Sequence, residues 1–184
     1  MITTELASTL TDLLAFDGKA ELIAGRIVPM SPTGYRPGLI GGRIFRSIDD
    51  HVRATGIGIA FTDNVGFSVP ELASGRQTFS PDAAYFAGRL PTDEMDFISG
   101  PPTLAIEVRS KGNYGPAAEI DLAAKRADYF EAGTLVAWDV DPIAKTVTIH
   151  RRDQSPITRR RGEIADAEPG LPGWTMTVDA IFES

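Results

Sequence analysis

Apolar positions recur at helical spacing in three stretches of this chain and alternate or cluster as strands do elsewhere. Leu6, Leu10, Leu13 and Leu14 fall at helical spacing behind Thr3-Thr4, which can cap a first helix. Ile40, Ile44, Phe45, Ile48 and Val52 mark a second helix, weakened by Gly41-Gly42. A third runs from about Pro116 to Ala132 and stops at Gly133, with Ile120, Ala123, Ala127 and Phe130 as its apolar stripe. Ala20–Met30 reads as a hairpin turning near Ala24-Gly25, and Ser31-Pro32-Thr33-Gly34 breaks it. Strand-like pieces follow at Ile57–Phe61, Val65–Val69, Thr78–Phe86 and Thr103–Val108. The acidic stretch Pro91–Phe97 reads as a loop or short helical turn. Thr134–Val140 and Thr146–Arg151 form a second hairpin, and the tail ends in a short apolar turn at Val178–Phe182. This order predicts an α/β fold of the α+β kind, a mixed sheet flanked by helices rather than a regular βαβ alternation.

At 184 residues the length predicts a single domain over 1–184. No run of eighteen apolar residues exists, so no membrane span is expected. The N-terminus has no basic segment followed by an apolar stretch, so no signal peptide is expected, and the cytoplasm is the favoured compartment. The absence of cysteine excludes disulfides, thiolate zinc sites and cysteine nucleophiles. Net charge is 18 − 25 = −7, which argues against a general nucleic-acid coat protein. Residues 145–161 nevertheless gather Lys145, His150, Arg151, Arg152, Arg159, Arg160 and Arg161 against Asp153 alone. That suits a phosphate-bearing substrate, and equally a solvated hairpin.

The chemistry centres on two acids in β-patterned runs. Asp82 lies in Ser80-Pro81-Asp82-Ala83, and Glu107 in Leu104-Ala105-Ile106-Glu107-Val108. A charge in an apolar strand is costly unless neutralised, and two adjacent carboxylates repel unless a cation sits between them. A magnesium-sized ion shared by both would activate water and steady charge on a phosphodiester. Asp82 alone can also be read as a strand opener after Pro81. Arg109, two residues past Glu107, points to the same face. Asp121, Lys125 and Tyr129 share one face of the third helix, where Lys125 can stabilise charge near a metal-bound water or simply pair with Asp121 at the surface. Ser110 and Lys111 can reach phosphate from the following loop or be solvated. His51, His150 and the scattered glycines form no metal or phosphate motif, and Trp138 and Trp174 read as core or interface aromatics.

Pro81-Asp82 followed by Glu107-Val108-Arg109 resembles the signature of the PD-(D/E)XK nuclease superfamily. The wider set resembles its Uma-type restriction endonuclease family. The matching pieces are Glu21-Leu22-Ile23-Ala24-Gly25-Arg26-Ile27, Met30-Ser31-Pro32, Ser80-Pro81-Asp82, Leu104–Ser110, Asp121 with Lys125 and Tyr129, Ala132-Gly133 and Trp138–Pro142. The resemblance implies a restriction-endonuclease-like core with a divalent metal, Mg2+ or Mn2+, between Asp82 and Glu107, and DNA as substrate. It places Arg109 at the superfamily's lysine position, nominates Lys125 from the following helix instead, and offers Glu21 as an additional metal ligand or an exposed hairpin charge. Two departures stand out. Gly34–Gly38 carries no histidine where relatives often do, and an arginine at 109 cannot act as a general base.

Two functions from different classes are therefore expected. One is a metal-dependent DNA endonuclease, most easily a homodimer because a duplex has two strands to cut. The other is a catalytically silent nuclease fold used as a binding or assembly module.

Overall fold

The computed structural model describes residues 7–183. Helix α1 (Leu10–Leu14) starts at Thr9, whose side chain and backbone form a capping box with Asp12. Leu6 and the expected Thr3-Thr4 cap lie outside the described residues. Strands β1 (Ala20–Ile23) and β2 (Arg26–Pro29) form the expected hairpin, turning through Ala24 at φ 50° and Gly25 at φ 67°. Helix α2 (Tyr35–Thr55) runs unbroken through Gly41-Gly42, because Ile40, Ile44 and Ile48 bury a continuous stripe. Five short strands follow: β3 (Ile59–Thr62), β4 (Phe67–Ser68), β5 (Thr78–Phe79), β6 (Ala83–Phe86) and β7 (Ile98–Ser99). Next come β8 (Leu104–Val108), α3 (Pro116–Ala132), β9 (Val136–Asp141) and β10 (Thr146–Arg151). The chain closes with β11 (Ile157–Arg159), β12 (Ile164–Asp166), β13 (Thr175–Thr177) and α4 (Val178–Phe182).

The central sheet has the order β11-β10-β9-β8-β6-β3. Within this sheet, among the described residues, only β8 and β9 run parallel, and α3 is the crossover between them, as a parallel pair requires. Alternation along β8 separates two cores. Leu104, Ile106 and Val108 face α2, while Ala105 joins Phe67, Phe79, Phe86 and Tyr129 on the α3 side. Trp138 and Trp174 pack in the first core with ring centroids 5.0 Å apart, as expected of core aromatics. The result is a mixed sheet with helices on both faces.

Two expectations need correction. Thr78–Phe86 is two strands, because the chain leaves β5 at Ser80-Pro81-Asp82 and Pro81 has no N–H for a ladder. Most of the stripe assigned to α3 faces outward: Ile120 is 70% exposed and Ala123 and Ala127 are exposed, Phe130 is half-buried, and Asp128 and Tyr129 are buried. The helix docks through charged and hydroxyl groups that find partners beneath it, a contact apolar periodicity cannot register. In the basic stretch 145–161, Arg151 pairs with Asp166, Arg159 with Glu163 and Arg161 with Asp179. The strands of two and three residues, β7 and β11 to β13, went unpredicted because so few residues show no period.

Candidate active site

Antiparallel pairing of Ala83 with Ile106 puts Asp82, the residue before β6, beside Glu107 near the end of β8. The Asp82 N–H donates to the Ile106 carbonyl at 3.0 Å, and the Val108 N–H donates to Asp82 Oδ2 at 2.7 Å. Asp82 is thus a strand opener and also a carboxylate aimed at β8. The parallel β8–β9 register then sets Asp139 beside Glu107. Both Asp82 and Glu107 line an open cleft of about 1060 Å³ between the β1–β2 hairpin and α3.

Lys125 reaches down from α3 and bridges two acids, with Nζ 2.9 Å from Glu107 Oε1 and 3.1 Å from Glu21 Oε1. Asp121, one turn earlier, stays exposed at the cleft and is not its partner among the described residues. Tyr129, one turn later, donates its hydroxyl to Glu107 Oε1 at 2.6 Å and stacks on Phe79 with centroids 4.2 Å apart. Glu21 is only 4% exposed, which removes the reading of an exposed hairpin charge. The Ser80 N–H donates to its Oε1 at 3.0 Å, and Arg76 pairs with its Oε2. Arg76 in turn donates from Nε to Asp128 Oδ2 at 2.8 Å.

Arg109 lies on the expected face but in a different cluster. It forks onto Asp139, at 2.9 Å from Nε to Oδ1 and 2.7 Å from Nη2 to Oδ2, and also holds Glu119. Arg126 adds a longer contact to Asp139 at 3.5 Å. Ser110 bonds Asn113 and Lys111 is exposed.

The electrostatics of the cleft are unbalanced. Burial and the neighbouring Glu107 push the Asp82 carboxyl up from its ordinary 3.8 to about 6, despite the Val108 N–H bond. Burial opposes ionisation of Glu21, but Lys125, Arg76 and the Ser80 N–H outweigh it and hold its carboxyl below the ordinary value. Burial likewise works against the charge on Lys125, yet Glu107 and Glu21 raise it overall, so it stays protonated. Burial and Glu107 push the Tyr129 hydroxyl well above its usual range, so it remains a donor.

The donor set fits a hard divalent cation in one respect and is sparse in another. Among the described residues, each of Asp82 and Glu107 has one oxygen engaged by hydrogen bonding and the other free of such a bond. Two such carboxylate oxygens on residues lining an open cleft suit an ion that keeps several waters. Among the described residues no group of three or more His, Cys, Asp or Glu side chains is placed to hold a metal ion.

Sequence reasoning missed Lys19, Arg76, Asp128 and Asp139. Asp139 carries the same signal as Glu107, an acid inside the apolar run Val136-Ala137-Trp138-Asp139-Val140. Asp128 follows Lys125 by three residues, a helical-face spacing. Lys19 and Arg76 carry no local signal, since each becomes a site residue only through contacts 44 to 63 or 52 to 55 positions away.

Among the described residues no helix is long and apolar enough to cross a membrane. No curated protein matches the chain. A crystal structure titled as a putative nuclease belonging to DUF820, from Anabaena variabilis ATCC 29413, is similar, with TM-score 0.75 and 19% identity. The match covers 95% of this chain and 97% of that one, and at this identity it establishes the fold. The family model for Uma2, described as "Putative restriction endonuclease", matches residues 9–179, so the chain belongs to that restriction-endonuclease-like family.

Proposed function

We propose that this chain is a divalent-metal-dependent endonuclease hydrolysing phosphodiester bonds in DNA. Asp82 and Glu107 serve as ligands of a magnesium or manganese ion, and Lys125 supplies the positive charge of the site. The observation that carries this reading is the pair of half-buried carboxylates side by side at the ends of two neighbouring central strands, each with an oxygen that accepts no hydrogen bond among the described residues, with a protonated lysine 2.9 Å from one of them.

When bound, the ion supplies an acidic water and Lewis-acid stabilisation of the phosphoryl oxygens. The Val108 N–H holds one Asp82 oxygen and leaves the other facing the cleft. Tyr129 fixes the rotamer of Glu107. Lys125 remains charged throughout and stabilises negative charge on the scissile phosphate, rather than serving as a base. Glu21, anchored by Arg76 and the Ser80 N–H, orients Lys125. Service of Glu21 as a further metal ligand would require Lys125 or Arg76 to let go of it. Arg109 belongs to the neighbouring ion-pair cluster. One such site per chain fits a two-fold dimer for double-strand cutting.

Plasmid nicking with magnesium or manganese tests the reading. The wild type is expected to nick, and Asp82→Ala and Glu107→Ala are expected to be inactive; equal activity in all three overturns it. Calorimetry is expected to give saturable magnesium binding that Asp82→Ala loses. Light scattering tests the dimer.

A further inference from the structure

Lys19, the residue before β1, lies on the Asp82 side of the cleft, whereas Lys125 lies on the Glu107 side. Its ammonium pairs with Asp63 and stands 3.9 Å from Asp82 Oδ1, the oxygen that accepts no hydrogen bond. The Lys19 side chain is 17% exposed, so the charge is largely withdrawn into the cleft wall, whereas Asp63, on the turn after β3, is 48% exposed.

The other cations of this cleft are each shared by two acids. Lys125 is held by Glu21 and Glu107, Arg76 by Glu21 and Asp128, and Arg109 by Asp139 and Glu119. Lys19 also has two acids in reach but is held less firmly, because its close partner Asp63 sits at the solvent rim, where an ion pair contributes little, and Asp82 stands 3.9 Å away. A compact ammonium on a flexible stem can change partners without rebuilding its surroundings.

We infer that Lys19 binds a phosphate of the DNA backbone beside Asp82, and that Asp63 is its resting partner, displaced when the phosphate arrives. This rests on the endonuclease reading above. Lys19 adds the positive charge that the cleft lacks for an anionic substrate, and Asp63 keeps that charge satisfied while the cleft is empty.

The test uses the full chain and a labelled DNA duplex, with calcium in place of magnesium, titrated between about 50 and 200 mM salt. Lys19→Met is expected to weaken binding and lower the slope of log affinity against log salt by about 1. Its nicking with magnesium falls roughly a hundredfold. Lys19→Arg keeps the charge and retains the wild-type slope. Asp63→Asn tightens binding a few-fold in the wild type and does nothing in Lys19→Met, because Asp63 acts only through Lys19. An unchanged slope in Lys19→Met, or an Asp63→Asn gain that persists there, overturns the inference. If the wild type binds and nicks while Lys19→Met matches it, Lys19 loses its role and the endonuclease reading stands. A wild type that neither binds nor nicks overturns both.

Discussion

Two charged clusters stand side by side on β8 and β9, built around the register partners Glu107 and Asp139. The Asp139 cluster is closed. Both its oxygens accept from the Arg109 fork, Glu119 takes the rest of the guanidinium, and Arg126 completes two cations against two acids. The Glu107 cluster is open. Glu21, Asp63, Asp82, Glu107 and Asp128 make −5, and Lys19, Arg76 and Lys125 make +3, leaving −2. One oxygen each of Asp82 and Glu107 accepts no hydrogen bond among the described residues, and Asp82 resists ionisation up to about pH 6. The same residue types thus do different things, and the difference lies in completeness of pairing. A satisfied ion-pair cluster ties the sheet to its crossover helix, whereas an unsatisfied one holds a place for a further cation.

The largest expected contrast is in activity. Glu107→Ala should reduce nicking by more than about a thousandfold, whereas Arg109→Ala should leave magnesium binding by the folded protein intact. Loss of magnesium binding in Arg109→Ala would merge the two clusters.

Stability should separate them less sharply. Arg76→Ala strands Asp128 and leaves Glu21 to Lys125 alone, both acids at least 94% buried, and should cost about 3–5 kcal/mol in urea unfolding. Arg109→Ala strands only Asp139 deeply, since Glu119 is half exposed, and should cost about 2–3 kcal/mol. A larger loss for Arg109→Ala than for Arg76→Ala would reverse this ranking.

Acidity gives a third contrast. The folded Asp82 carboxyl titrates near 6, above its ordinary 3.8, so its stabilising contribution is full below about pH 4 and lost as pH rises through 6. Without metal, Asp82→Asn should therefore be more stable than the wild type above pH 6, by about 1–2 kcal/mol after allowing for partial exposure. The advantage should vanish near pH 4 and reverse when magnesium is added, which thermal melts across pH would show. Magnesium affinity should also fall about tenfold per pH unit below 6, since the ligand must be ionised. The smallest effect is expected at the rim of the fold. Arg161→Ala breaks an exposed pair with Asp179 and should shift stability by less than about 1 kcal/mol.

Much of this architecture was legible in the sequence. The β1–β2 hairpin, the β9–β10 hairpin and α3 with its Gly133 stop follow from turn residues and capping chemistry, which act over a few positions. Asp82, Glu107 and Lys125 stood out as acids in strands and a lysine on the next helix. The orientation of α3 did not, because that helix buries Lys125, Asp128 and Tyr129 against partners the local pattern does not contain.

The sequence by itself determined a mixed sheet with flanking helices, an acid at each of two neighbouring strands, and a family membership carried by ordered motifs. Those are local or serial properties: periodicity, turn chemistry, and residue types in a fixed order. Only the tertiary structure decided which cation belongs to which acid. It gave Arg109 to Asp139, Lys125 to Glu107 and Glu21, and Arg76 to Glu21 and Asp128, and it brought Lys19 to the edge of the site. The physical reason is range. Ion pairing needs contact within a few ångström, and here that contact joins residues up to 104 positions apart.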